Sequence, residues 1–506
     1  MNLFNALKAT AQSAKSYVDK KVLELYNTID NMHPETFFIP EGVETITREY
    51  AQNIDVNVTT IIFPESVKTI KSYAFDYRPS LEKVIFLGNG LTTIETFAFS
   101  NCVNLTQINI PSSVTTIGIN ILYGCFNLTK LTTPFIGATS FNSGLEYFFG
   151  GRDIIPSSLE SVTITGDYNV PDYAFNNCKN LKYVYLTGNP ESLGENAFSN
   201  CYSLERIGLP SSVKSILREA FANCINLQSI DLTNVTSIDD YAFSGCTSLA
   251  EVQLGSNLTT VNTGVFSSCV NLTEIVIPDS VNAILDDAFL YCNRLYRVSL
   301  GENIKEVSAS KSFLGCYRLV EIFNRSDVEI ELGDSSALGG IAAYALNIAT
   351  VESERGTFAE SNECVFYTTT TGIVYMIDYI GENSTITLPS GYNGEQTGLV
   401  FSLNQYALFN TSATILNTGN FCYILNSYCF AGAYSLREVR MNDAVQTIQK
   451  STVLYSSMIH SITFDNKYWL LEAGGNEFEW EASSDPTLNA QSFVQYRTHE
   501  WQKITR

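Results

Sequence analysis

Nine cysteines punctuate this chain at positions 102, 125, 178, 201, 224, 246, 269, 292 and 316, separated by 23, 53, 23, 23, 22, 23, 23 and 24 residues. A fixed period of about 20–30 residues marks a chain that winds one short coil many times, so the repeat is settled before any motif is read. Aligned on cysteine, the unit reads Ala-Phe-x-x-Cys-x-x-Leu-x-x-Ile-x-Ile/Leu-Pro-x-Ser-Val-x-x-Ile. One copy runs Cys269-x-x-Leu272-x-x-Ile275-x-Ile277-Pro278-x-Ser280-Val281-x-x-Ile284 and closes on Ala288-Phe289-x-x-Cys292. A phenylalanine column (Phe75, Phe99, Phe175, Phe198, Phe221, Phe243, Phe266, Phe289, Phe313) and a leucine column (Leu81, Leu105, Leu128, Leu181, Leu204, Leu227, Leu249, Leu272, Leu295, Leu319) keep the same register.

Each part of the unit has a physical reading. In Leu-x-x-Ile-x-Ile/Leu the last two apolar residues stand two apart, on one face of a short strand. The proline that often follows cannot donate to a strand ladder and turns the chain. The later isoleucine, the Ala-Phe pair and the cysteine then return inward along a short helical or irregular limb. A unit this small cannot bury its apolar face alone. Stacked neighbours bury it continuously, with strands about 4.8 Å apart in a parallel sheet. The expected fold is therefore an α/β repeat solenoid.

The cysteine column carries no recognisable chemistry. A metal site needs close pairs such as C-x-x-C, and the chain has none. Stacked rungs bring neighbouring Cα atoms toward bridging range, which leaves disulfides open. Buried free thiols filling one position of each rung account better for Arg78 and Ala433 standing at that position in outlying rungs. The histidines, His33, His460 and His499, all lie outside the main repeat. No G-x-S-x-G, H-E-x-x-H, P-loop or G-x-G-x-x-G is present. The expectation is a non-enzyme without catalytic residues, metal or cofactor.

With 30 Lys+Arg against 52 Asp+Glu the net charge is −22. That balance excludes a nucleic-acid partner, which needs clustered cations. No apolar run reaches the length of a membrane span, so membrane insertion is not expected. No signal peptide is visible in MNLFNALKATAQSAKSYVDKK either.

The repeat resembles the BspA-type leucine-rich repeat of bacterial and protist surface proteins. The match covers about 39–322 and recurs in Tyr406-Ala407-Leu408-Phe409 and in Phe430 with Leu436, Val439 and Met441. The resemblance implies a parallel β-sheet face and a role in attachment. The layout expected is an N-terminal helix at 1–32, a solenoid at 33–323 with an insertion near 132–155, an irregular continuation of the repeat at 324–463, and a C-terminal β-rich aromatic cap at 464–506. In the leader, Phe4, Leu7, Ala11, Val18, Val22, Leu25 and Ile29 follow steps of three and four, a helical seam. Two readings stay open there: self-association, with a trimer as one such assembly, or a helix covering the first rung. The three tryptophans, Trp469, Trp480 and Trp501, are expected to cover the last rung or to stack on sugar rings.

Function then rests on the surface. Strand residues two and four after the leucine point away from the core, giving the candidate binding face Lys83, Gln107, Tyr183, Tyr185, Arg206, Asp231, Glu251, Glu274, Arg297 and Glu321. Tyrosine and arginine are enriched at binding hot spots. The leading expectation is a recognition or adhesion protein at an extracellular surface, engaging a cell-surface protein or glycan. A helical leader ahead of such a repeat is similar to the layout of phage tail-fibre and virion-surface proteins, with a bacterial or protist adhesin as the alternative. A glycan hydrolase in the C-terminal region and an inert spacer are the rivals.

Overall fold

The computed structural model describes residues 35–448, apart from 138–143, 309, 393, 395, 443 and 446, and beyond them Ile459 and the backbone of five short strands between Ser461 and Thr505. The leader at 1–32, with Phe4, Leu7, Ala11, Val18, Val22, Leu25 and Ile29, lies outside the described residues. The chain forms two compact units, Met1–Leu249 and Ala250–Arg506.

In the first unit eight parallel strands lie side by side in sequence order: Thr36–Phe38, Thr60–Phe63, Lys83–Phe86, Gln107–Asn109, Lys130–Thr133, Ser161–Ile164, Tyr183–Leu186 and Arg206–Gly208. The inward residues pair in register, Ile108 with Leu131 and Val162 with Val184 and then Ile207. A second ladder comes from the Thr-Ile or Ser-Ile that follows the turn after each strand, as in Thr45–Ile46, Thr69–Ile70, Thr93–Ile94 and Thr116–Ile117. These β-branched pairs put the isoleucine inside and the hydroxyl outside, the alternation a half-buried strand requires.

The return limb is turn rather than helix. Two residues of each rung hold left-handed backbone, one before Ala-Phe and one before cysteine: Glu219 (φ 53°) and Asn223 (φ 59°), or Asn196 (φ 53°) and Asn200 (φ 61°). A left-handed residue every fourth position interrupts any helix, and asparagine tolerates that conformation better than most side chains. The turns stack because the phenylalanine N–H groups donate to the carbonyl at the alanine position one rung on, Phe198 to Ala220 at 2.7 Å and Phe221 to Ala242 at 2.8 Å. Their rings form a spine: Phe175, Phe198, Phe221 and Phe243 stack at 5.0, 5.0 and 5.1 Å, within 9° of parallel.

All twelve cysteines are free and buried. In the column they also donate hydrogen bonds. The Sγ of Cys102, Cys125, Cys201, Cys224 and Cys246 reaches the phenylalanine carbonyl of the preceding rung at 3.1–3.2 Å. Cys292 and Cys316 do the same in the second unit at 3.1 Å. Arg78, which takes the cysteine position in its rung, donates instead to the carbonyls of Ala51, Ile54 and Asp55. Burial pushes the Cys125 and Cys246 thiols up to about 12, which keeps them protonated at neutral pH.

The 53-residue interval is one extra rung. Ser161–Ile164 inserts between Lys130–Thr133 and Tyr183–Leu186, and the helix Glu146–Phe149 replaces the usual turn. It stacks as a turn would, Leu122 N–H donating to the Phe148 carbonyl at 2.8 Å and Leu145 N–H to Ala174 at 2.7 Å. Gly150 ends the helix at φ 96°, a conformation that excludes β-carbon-bearing residues without strain.

In the second unit Glu274–Val276, Arg297–Leu300, Glu321–Asn324 and Asn347–Ala349 form a parallel sheet. The register then breaks into antiparallel strands, Thr357–Ser361, Cys364–Thr368 and Val374–Tyr379. Parallel stacking resumes: Val374–Tyr379 pairs with Phe401–Leu403, and Thr385–Thr387, Ile415–Asn417, Glu438–Met441 and Ser461–Phe464 follow one another in a second ladder. The two ladders end on antiparallel strands, Trp480–Ser483 against Thr447–Ile448 and Gln491–Gln495 against Ser461–Phe464.

Candidate functional site

The outward residues of the first unit form two rows. In the first, Lys83 pairs with Gln107, Gln107 with Lys130, Ser161 with Tyr183, and Tyr183 with Arg206. In the second, Asn109, Thr132, Thr163, Tyr185 and Gly208 stand in line. Lys83 and Arg206 are exposed, and Gln107 and Tyr183 half-buried. The Tyr183 hydroxyl donates to Glu205 at 3.0 Å; that bond fixes the ring and holds the phenol above its ordinary value. Tyr185 is 50% exposed, and a β-carbon at its neighbour Gly208 would meet nothing within 4 Å. The result is a ring face beside an open shelf, bordered by one cation. Asp231 is exposed, with its carboxylate turned onto the N–H (2.9 Å) and hydroxyl of Thr233, which hold it below the usual carboxylate range.

The second unit corrects the alternation argument. Glu251 and Glu274 are exposed, but Glu321 is fully buried and the Arg297 side chain is only 15% exposed. Arg297 Nε lies 2.6 Å from Glu321 Oε1 and its guanidinium sits 4.6 Å over the Phe358 ring. The other Glu321 oxygen accepts from Gly356 N–H at 2.6 Å and from the Tyr367 hydroxyl at 2.9 Å. Strand periodicity assigns Glu321 to solvent, and the antiparallel segment around 356–368 then covers that face. These two residues hold the covering segment and are removed from the candidate face. Ser299, also on an outward position, is buried for its part.

A second buried acid repeats the arrangement. Asp378 is fully buried, with Arg318 Nη2 at 2.7 Å, Arg294 Nε at 3.1 Å and the Tyr296 hydroxyl donating at 2.7 Å. Burial, and then Asp378, push the Tyr296 phenol far up, while burial pulls the Arg318 guanidinium down against the opposing pull of Asp378. None of these four residues was singled out from sequence. A signal was there: Arg294 and Arg318 stand just before the column leucine in consecutive rungs, where Cys102, Cys178, Cys224 and Cys269 are followed at that place by asparagine.

Cavities among the described residues include one of about 430 Å³ between 145–159 and Asn177–Leu181, one of about 360 Å³ beside Arg297 and Phe358, one of about 330 Å³ beside Arg294 and Arg318, and one of about 280 Å³ between Glu329–Glu331 and Leu338–Ala342. Among the described residues no group of three or more His, Cys, Asp or Glu is placed to hold a metal ion, and no helix is long and apolar enough to cross a membrane.

A family model described as the BspA type leucine rich repeat region matches in 6 copies, over residues 27–148, 156–238, 219–334 and 384–477. No curated protein matches the chain. Among solved structures, a leucine-rich cell-surface protein from Faecalibacterium prausnitzii is 22% identical, over 58% of this chain and 88% of its own, at a TM-score of 0.25. A leucine-rich repeat protein from Bacteroides ovatus is 21% identical, over 57% and 87%, at 0.33. The pneumococcal vaccine antigen PcpA is 22% identical, over 54% and 68%, at 0.28.

Proposed function

Because this chain belongs to the BspA-type leucine-rich repeat family, we propose that it is a non-catalytic recognition protein that engages a partner on a cell surface through the outward rows of its first sheet. The observation that carries this reading is the group Tyr183, Tyr185, Arg206 and Gly208 on two adjacent, in-register strands. A rigid parallel sheet fixes the spacing of these side chains, so little ordering entropy is lost when they are covered. Tyrosine and arginine supply large contact area and a directional donor set, the residue types on which interface energy concentrates. We take the partner to be a protein, with a glycan as the alternative outcome.

An extracellular setting follows from the family resemblance, and we place the chain on a cell surface. A tail-fibre or virion setting with a trimeric leader rests on residues 1–32, outside the described residues, and nothing in the two units adds to it.

Binding of the fluorescently labelled chain to whole cells tests the proposal. Saturable attachment that falls at least tenfold in Tyr185→Ala and in Arg206→Glu supports it. Survival of that attachment after protease treatment of the cells, with loss after glycosidase treatment, assigns the glycan. Attachment unchanged in both variants overturns the assignment to this face, and absence of saturable attachment to any cell type leaves the spacer reading in its place.

A further inference from the structure

The cavity of about 330 Å³ in the second unit is lined by Arg294, Arg318, Asn293, Tyr379, Phe409, Asn410, Thr411 and Ser412, among others. Its charge is unusual for a solenoid interior. Arg318 is 3% exposed and Arg294 one-third exposed, and one carboxylate, that of Asp378, stands between them. Two guanidiniums against one buried carboxylate leave one positive charge uncompensated inside the cavity wall. Asp378 stands behind the lining; among the described residues the acid that lines the cavity, Glu382, is solvent-exposed, as is Glu363, whose carboxylate accepts from the Tyr379 hydroxyl at 3.0 Å.

Hydrogen bonding is unfinished in the same place. Arg318 places Nη2 on the Phe409 carbonyl at 2.9 Å and beside Asp378, yet its Nε is buried without an acceptor. Asn293, also in the wall, has a buried Oδ1 without a donor. A buried donor and a buried acceptor left open cost about 1–3 kcal/mol each. Arg318 is already held by the Asp378 ion pair, so its spare N–H is surplus to the structural role. An occupant that satisfies both groups must present an acceptor to a cation and a donor to an amide oxygen.

We propose that this cavity is a binding site for a carboxylated monosaccharide, a uronic or sialic acid unit. Its single surplus positive charge matches a monoanion and leaves a phosphate dianion undercompensated. Asn293, Asn410, Thr411 and Ser412 offer the neutral donors and acceptors that sugar hydroxyls take. The volume suits one sugar ring, at the low end of the range for small-ligand pockets. This site is separate from the Tyr185 face and goes beyond the function proposed for it.

Calorimetric titration of the full chain with glucuronate, N-acetylneuraminate, a glucuronate-terminated disaccharide, glucose and inorganic sulfate tests the assignment. The expected result is saturable binding of at least one acidic sugar, at least tenfold tighter than glucose and not displaced by equimolar sulfate. Binding of the disaccharide as well assigns a chain end, and binding of the free sugar alone assigns a soluble ligand. Asn293→Asp, nearly isosteric, places a second acid in the wall and is expected to weaken acidic-sugar binding at least tenfold. Ser412→Trp, at an exposed rim position, is expected to block it while leaving the fold intact. Binding no tighter than glucose, displacement by sulfate, or unchanged affinity in both variants overturns the proposal.

Discussion

Replacing Cys224 by alanine removes one sulfur from the inside of one rung. That sulfur is fully buried and donates to the Phe198 carbonyl at 3.1 Å. Removing a buried group of methylene size costs about 0.8 kcal/mol, and incomplete collapse of the site adds to it. Loss of a hydrogen bond from a weak donor adds about 0.5 kcal/mol. The expected destabilisation is therefore about 1–2 kcal/mol. Cys178 is an internal control for the hydrogen-bond share. The rung before it carries the helix Glu146–Phe149 in place of the turn, Cys178 Sγ makes no hydrogen bond among the described residues, and Cys178 is 7% exposed at the edge of a cavity. Cys178→Ala therefore loses packing alone and is expected to cost less than about 1 kcal/mol. Urea unfolding followed by circular dichroism, with the slope checked for constancy, gives both values. Cys178→Ala matching or exceeding Cys224→Ala would refute the claim that the thiol column is bonded to the rung before it.

Three further outcomes follow from the same geometry. Arg78→Ala removes a donor from three carbonyls, two of them buried, and is expected to lower stability by about 2–4 kcal/mol, read from the urea midpoint, with Arg78→Lys recovering only part. Glu321→Gln weakens the bonds to Gly356, Tyr367 and Arg297; the expected loss is about 3 kcal/mol, and limited proteolysis is expected to cut first within 350–380. Glu95 accepts from Lys71 at 2.7 Å and from Ser72 N–H at 3.0 Å, and its carboxyl lies below the ordinary 4.5, the Lys71 hydrogen bond first among the causes. A folded value below the unfolded one means its stabilisation is complete above about pH 4.5 and disappears as pH falls through the folded value. The gap in urea midpoint between wild type and Glu95→Gln is therefore expected to be constant from pH 7 to 5 and to close below pH 4; a gap that widens on acidification contradicts the sign.

The periodicity of cysteine, phenylalanine and leucine determined the repeat fold, the parallel strands and the inward columns, because each is set by spacing within about 23 residues and then copied to its neighbours. It also placed Tyr183, Tyr185 and Arg206 together on one face, since in-register stacking converts a column in the sequence into a row in space. The left-handed turns were half legible, in the Asn-Cys and Gly-Cys pairs at Asn101, Gly124, Asn177, Asn200, Asn223, Gly245 and Gly315. Other features depended on segments far apart in the chain. Glu321 reads as solvent-facing from its own strand and is buried by residues 35 to 46 positions later. Arg318 reads as one more polar turn residue, and its role comes from Asp378 and from the Phe409 carbonyl 91 positions on. A local pattern fixes which way a side chain points relative to its own backbone; only the folded chain decides whether water or another segment waits there.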